Sequence, residues 1–433
     1  MRDSHLTPEI LHHLLTRDND PEEHRLLLHH LAVCPACYKV AGYVLDLFEA
    51  GAIDLAFSTV DLDLARSRAE APLLLAELGR HPYEAQQALV RQTPRFHSWG
   101  LAELLAAESI RFAPEDSSRA VEAAELAVLV SSLLEEHEPA EAAWLEELRA
   151  MTWAHLAKAR HLLGELRSAE EAFRISDAHW KNAESAGNVL GYEAKILALK
   201  ASLRLNQGRL EEALSLLDQA FAAEPAPSLA ASILISRARV LEEQGDLEAA
   251  IRLFGEAAET IDRDKDPRLF LCARHNLLDA LSKDRRYREA EALLPKVQAL
   301  ARAEGNELDL VRLSWIEGRL LAAEGRPEEA IGRFIAVRDT FLVHRMGYDA
   351  ALVSLELAIV LLQLERVPEV QTLALETYRV FAAEDVHREA LVAVALFQEA
   401  AAKGKLTLEL ASSISRYLFR ARRNPMLRFE RTG

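Results

Sequence analysis

Cysteine is scarce in this chain, with three residues among 433. That count excludes a disulfide-stapled scaffold, in which cysteine exceeds about 8–10 %. Glycine (17) and proline (15) are also few, which rules out collagen-like and low-complexity linker sequences. No Asn-Gly turn joins two alternating apolar runs, so β-hairpins are not expected. Long apolar runs are missing too: the richest, 350–364, contains Glu356 and falls short of the roughly 20 residues that span a bilayer. The N-terminus lacks the apolar segment of a secretory leader. These features predict a cytoplasmic protein with no membrane segment. Catalytic signatures are absent as well. There is no Gly-x4-Gly-Lys-Ser/Thr phosphate loop, no His-Glu-x-x-His and no Gly-x-Ser-x-Gly, and the carboxylates are expected on solvated helix faces. A non-enzymatic protein is the expectation.

What remains is an acidic, helix-rich chain. Half of its residues are hydrophobic, and 51 basic residues against 68 acidic ones give a net charge of −17. Such a balance keeps an extended array soluble and argues against its lying on a polyanion, so nucleic acid is not an expected partner.

Two of the three cysteines sit in one short stretch, His30-Leu-Ala-Val-Cys34-Pro-Ala-Cys37. Steps of four and three residues place His30, Cys34 and Cys37 on one face of a helix. Imidazole nitrogen and thiolate sulfur together suit tetrahedral zinc, which needs a fourth ligand. His5, beside a predicted helix start at Thr7-Pro8-Glu9, is the candidate, with His12, His13 and His24 as substitutes. His29 points about 140° away from Cys34 on the helical wheel. A redox reading uses the same cysteines in one of two ways: as a thioredoxin-type dithiol, whose chemistry favours the N-terminus of a helix after a strand whereas this motif ends a helix, or as a sensor that releases zinc when peroxide oxidises Cys34 and Cys37 to a disulfide. A third reading gives the metal a purely structural role.

The stretch from His5 to about Leu47 resembles the zinc-binding anti-sigma domain, whose pattern is a Cys or His, about 25 residues, and then His-x3-Cys-x2-Cys. The resemblance implies one structural zinc held by His5, His30, Cys34 and Cys37. It also implies a protein partner, a sigma factor or another signalling or transcription regulator.

Beyond this module the chain repeats. Gly-x-Leu-x-x-Ala occurs at 164–169, 208–213 and 245–250, and weaker copies begin at Arg285, Gly325 and Glu365, giving start-to-start distances of 44, 37, 40, 40 and 40. In each unit an apolar helix ends at a left-handed turn, and a second helix opens with acidic residues and a small Ala. No unit covers its own apolar face, so the units must stack. The repeats resemble tetratricopeptide repeats, with a period nearer 40 than 34. The expected fold is all-α: a zinc-binding helical module over 1–50, a helical connector over 51–139, an α-solenoid of tetratricopeptide-like helix pairs over 140–410 and a basic cap or tail over 411–433. That tail carries six arginines from Arg416 onward and is expected to be solvated. Cys272, in an apolar run, is expected to be a small buried hydrophobe.

Protein purified without chelator is expected to carry one zinc per chain by metal analysis. Cys34→Ser should abolish that metal. Retention of zinc by the variant, or a metal-free parent, would remove the proposed site.

Overall fold

The structure is a computed structural model. It describes residues 59–421, except 114–115, 136–138, 186–190, 224 and 384–387, together with 427–429. The module over 1–50 and its candidate ligands His5, His30, Cys34 and Cys37 lie outside the described residues. Among the described residues there are eighteen α-helices, one short 3-10 turn and no strand. The chain divides by its packing into two compact units, residues 1–192 and 193–433.

The described part of the first unit contains α1 (Thr59–Leu78), α2 (Tyr83–Gln92), α3 (Trp99–Phe112), α4 (Ser117–Ser132), α5 (Pro139–Leu162) and α6 (Leu166–Ser185). Local chemistry sets these boundaries. Pro82 stands at the N-cap of α2. The Ser98 side chain accepts from Leu101 N and that of Asp116 from Arg119 N, so each satisfies an amide that its helix leaves open. Helices α1 and α3 approach so closely that a Cβ on Gly100 would stand 2.3 Å from the Ser67 carbonyl oxygen. Gly100 N donates instead to Ser67 Oγ at 2.8 Å. A side chain at this position would force the two helices apart.

The second unit is a stack of six helix pairs: α7 (Glu193–Asn206) with α8 (Leu210–Ala222), α9 (Pro227–Gln244) with α10 (Leu247–Thr260), α11 (Pro267–Lys283) with α12 (Tyr287–Glu304), α13 (Glu307–Ala323) with α14 (Pro327–Val343), α15 (Gly347–Gln363) with α16 (Val367–Ala382), and α17 (Arg388–Ala402) with α18 (Leu408–Ala421). First helices α7, α9 and α11 each pack on the next first helix as well as on their own partners.

All six turn positions read from the repeats have positive φ: Gly164 (89°), Gly208 (72°), Gly245 (91°), Arg285 (60°), Gly325 (77°) and Glu365 (57°). Beyond each, an amide bonds back across the helix end. Asp246 N donates to Leu241 O at 2.9 Å, and Arg286, Arg326 and Arg366 donate to Leu281, Leu321 and Leu361 at 3.0 Å. This is the six-to-one bond of a Schellman turn, which satisfies a carbonyl the helix leaves open. The small residues five positions after the turn, Ala213, Ala250, Ala290 and Ala330, are fully buried and let paired helices close up. Phe254, Phe334, Phe341 and Phe381 fill the space between layers, each adding about 1.5–3 kcal/mol of apolar burial.

Two sequence expectations change here. The stretch from 411 begins inside α18, where Ala411, Ile414, Tyr417, Leu418 and Ala421 are buried, so its first half is packed and not solvated. The arginines alternate with an apolar stripe at helical spacing, and that stripe sought cover. Cys272 is exposed while its neighbours Leu271 and Ala273 are buried. The run Leu269 to Ala273 is apolar all round, and only part of it faces the core.

Left-handed backbone costs a side chain about 1–2 kcal/mol. Arg285→Gly and Glu365→Gly should therefore stabilise by up to about 1 kcal/mol after the extra unfolded-state entropy of glycine is subtracted. Gly100→Ala should destabilise by about 1–3 kcal/mol. Urea unfolding midpoints read both effects, and a stabilising Gly100→Ala would contradict the close approach of α1 and α3.

Candidate interaction face

The first helices α9, α11, α13 and α15 each bury an apolar stripe, and charged side chains recur beside it near the repeat spacing. Glu242 stands on α9, Asp279 and Lys283 on α11, Arg319 on α13 and Glu356 on α15. Stacking converts this period into a continuous ladder. Lys283 Nζ donates to Glu242 Oε1 at 2.5 Å and lies 2.7 Å from Asp279 Oδ2. Arg319 Nη1 donates to Asp279 Oδ1 at 2.7 Å, and its Nε donates to Glu356 Oε2 at 2.9 Å. Trp315 Nε1 also donates to Glu356 Oε2, at 2.9 Å. Every one of these side chains is a third exposed or less.

Burial and charge pull the ladder in opposite directions. Burial works to raise the Asp279 carboxyl, but Lys283 and Arg319 outweigh it and hold the group below the ordinary carboxylate range. Lys283 and Arg319 are likewise pulled down by burial, and both are carried above their ordinary values, Lys283 by Asp279 and Glu242 and Arg319 by Glu356 and Asp279. All three therefore stay charged at neutral pH. Three carboxylates face two cations, so the row is nearly self-neutralised.

Helix α18 lies over this face. It packs on α15, and Tyr348 Oη of that helix donates to the Leu418 carbonyl at 2.8 Å. The Phe419 ring stacks on Trp315 with centroids 5.7 Å apart. The Lys283 ammonium and the Arg319 guanidinium each lie 5.9 Å from the Phe419 centroid, within reach of a cation–π attraction. After α18 the chain returns: Tyr417 Oη donates to Leu427 O at 3.0 Å, and the Tyr417 and Phe429 rings lie 4.8 Å apart. A cavity of about 910 Å³ remains between the ladder on one side and α18 with residues 427–429 on the other.

The first unit holds a second polar cluster. Arg68 donates twice to Glu103, both at 2.7 Å. Trp99 Nε1 donates to the same carboxylate at 3.2 Å, and Tyr192 Oη completes the set. Burial, reinforced by Glu103, pushes the Tyr192 hydroxyl far above its ordinary range, so it stays protonated, donates to Glu103 and accepts from Trp99 Nε1 at 3.4 Å. Tyr192 N donates to Glu147 Oε1 at 2.7 Å, and Glu147 has no exposed surface. With its donors and acceptors paired to one another, this cluster fixes packing.

The expectation that carboxylates lie on solvated faces is thus corrected at Glu103, Glu147, Asp279 and Glu356. Glu356, an interruption of an apolar run in the sequence, is the end of the ladder. The available signal was a charge recurring inside first helices at near-repeat spacing, with partners 37 to 41 residues apart. No group of three or more His, Cys, Asp or Glu is placed to hold a metal among the described residues, and the predicted zinc ligands lie outside them. Nor is any helix among them long and apolar enough to cross a membrane.

Residues 199–267 match the tetratricopeptide repeat family. Among solved structures, the chain is similar to a Rap protein complexed with competence and sporulation factor, with 14 % identity, coverage of 75 % of this chain and 92 % of that one, and a TM-score of 0.54. Aspartyl phosphate phosphatase F from Bacillus subtilis is similar at 13 % identity over 83 % of this chain and 92 % of that one, with a TM-score of 0.47. Comparison with curated proteins gives no match. The described residues are all-α, and the chain carries tetratricopeptide-like repeats in a solenoid.

Asp279→Asn should destabilise the second unit by about 2–3 kcal/mol at neutral pH, less than the roughly 3–5 kcal/mol of a fully buried pair because the ladder is partly wet. A depressed carboxylate contributes stability above its unfolded pKa of about 3.9 and loses it as pH falls through the lower folded value. The gap between parent and variant should therefore be full near pH 7 and shrink below about pH 4. Chemical unfolding across that range reads it, and a gap independent of pH would contradict the charged ladder.

Proposed function

We propose that the protein is a non-enzymatic interaction scaffold with a regulatory role, and that the first-helix face of the second unit receives a segment of a partner protein. What carries this reading is the cavity over the ladder. It combines the charged row of Lys283, Arg319 and Glu356 with apolar and aromatic lining from Ile359, Tyr417 and Phe419. Binding sites generally join apolar walls to a few well-placed polar groups, and helical grooves take peptide segments in this way. The structurally similar Rap protein is itself complexed with competence and sporulation factor, which agrees with a regulatory role for this architecture.

The module over 1–50 has a separate part in the proposal. With His5, His30, Cys34 and Cys37 on one zinc ion, it would have all four positions filled by protein and none open for an activated water. It would serve as a metal-stapled docking element for a sigma factor or other transcription regulator, while the repeats hold a second protein segment.

A photo-crosslinking amino acid in place of Ile359, which lines the cavity, should give adducts with a protein partner in cells. The same group in place of Val343, which is 81 % exposed at the end of a second helix, should give few. Adducts at 343 and none at 359 would move the binding role off the first-helix face.

A further inference from the structure

The charges around the cavity are not equally free. Lys283 and Arg319 are committed to Asp279, Glu242 and Glu356. On the opposite wall Arg416, Arg420 and Arg428 are exposed, and no ion pair engages them among the described residues. The stripe is ordered. Ser412, Arg416 and Arg420 follow one another at four-residue steps along α18 and so share one helix face, while the other face of α18 is buried. The stripe cannot rotate away without exposing Ile414, Tyr417 and Leu418. A chain with a net charge of −17 thus presents, around this cavity, a local excess of positive charge.

We infer that this cavity takes an acidic peptide segment, one that carries carboxylates alternating with apolar side chains, and that Arg416 and Arg420 of α18 select it. The inference rests on the first-helix face being the binding face and adds the chemistry of the occupant. Guanidinium groups pair with carboxylates through two parallel hydrogen bonds. The lining between the two charged walls is apolar, with Leu247, Ile359, Tyr417, Phe419 and Phe429, so apolar side chains of the segment have places to go. A compact polyphosphate fits less well, because Glu242, Glu243 and Glu356 line the same space and would repel charge concentrated at one point. A peptide spreads its charges and offers backbone N–H groups to those carboxylates. The acidic net charge of the whole chain favours a basic partner at long range, yet such long-range preference is screened beyond about 10 Å at ordinary salt. Selection at the cavity is governed by its own walls.

Random octapeptides displayed on phage, selected against the full chain, test the inference. The expected outcome is enrichment of Asp and Glu over Lys and Arg, with apolar residues between them. Arg416→Glu combined with Arg420→Glu should remove that enrichment. A recovered acidic peptide, measured by fluorescence anisotropy, should bind the double variant at least about tenfold more weakly, as expected for loss of hydrogen bonds between charged groups, and raised salt should weaken its binding to the parent. Both positions are exposed, so folding should be preserved, and thermal unfolding checks it; Arg416→Gln with Arg420→Gln gives a second, milder comparison. Basic or neutral peptides in the selected pool, acidic peptides that ignore both double variants, or ATP and inorganic phosphate binding through these arginines in place of peptide would each overturn the inference. Crosslinks at 359 that persist unchanged in the charge-reversed chain would leave the binding face standing and remove only its acidic preference. Loss of crosslinks at 359 in the parent would remove the face itself.

Discussion

The hydrogen bond that closes each first helix sets most of the architecture of residues 193–433. An amide such as Arg286 N reaches back to the carbonyl of Leu281 at 3.0 Å, and it can do so only when the residue before it has left-handed backbone. The bond satisfies a carbonyl that would otherwise face the next layer, and it sets the angle at which the second helix departs. Because the same bond recurs at Leu241, Leu321 and Leu361, successive pairs leave their turns alike. The small residues after each turn then meet equivalent surfaces, and first helices fall into register along one face.

Register in turn decides the fate of the charges. A lone Asp279 or Arg319 inside an apolar helix would suffer a desolvation penalty with no compensation. Stacked in register, each finds a partner on the neighbouring layer. Such ladders add little net stability compared with well-packed apolar residues, but a slipped layer would strand an uncompensated charge, so they penalise misregistered packing. The ladder therefore specifies the stack more than it strengthens it. It also leaves Trp315 oriented by Glu356, with its ring face available to Phe419.

The local features were legible in the sequence and the distant ones were not. A Gly or its substitute followed five residues on by a small residue marks the turns, and even Arg285 and Glu365 adopt the backbone that glycine takes elsewhere. The reason is that turn geometry is written in a few adjacent residues. Glu103 and Glu356 carry no such mark. Whether a carboxylate faces water or Arg68, 35 residues away, depends on how helices pack, and helical periodicity fixes only which face it is on. Helix α18 was hidden for a related reason. Its arginines dominate the composition of the C-terminal stretch, while the buried stripe of Ile414, Tyr417 and Leu418 is visible only at helical spacing.

The return of α18 changes how the second unit should come apart. Stacked helix pairs touch mainly their neighbours, so their unfolding can proceed layer by layer, as along a one-dimensional chain. Here a single helix bonds to Tyr348, 70 residues earlier, and its Phe419 also rests beside Trp315 and Lys283. Layers that would otherwise fray independently share one clasp. Opening the α11 to α15 layers thus requires release of α18, and the array gains cooperativity that its repeats alone do not provide.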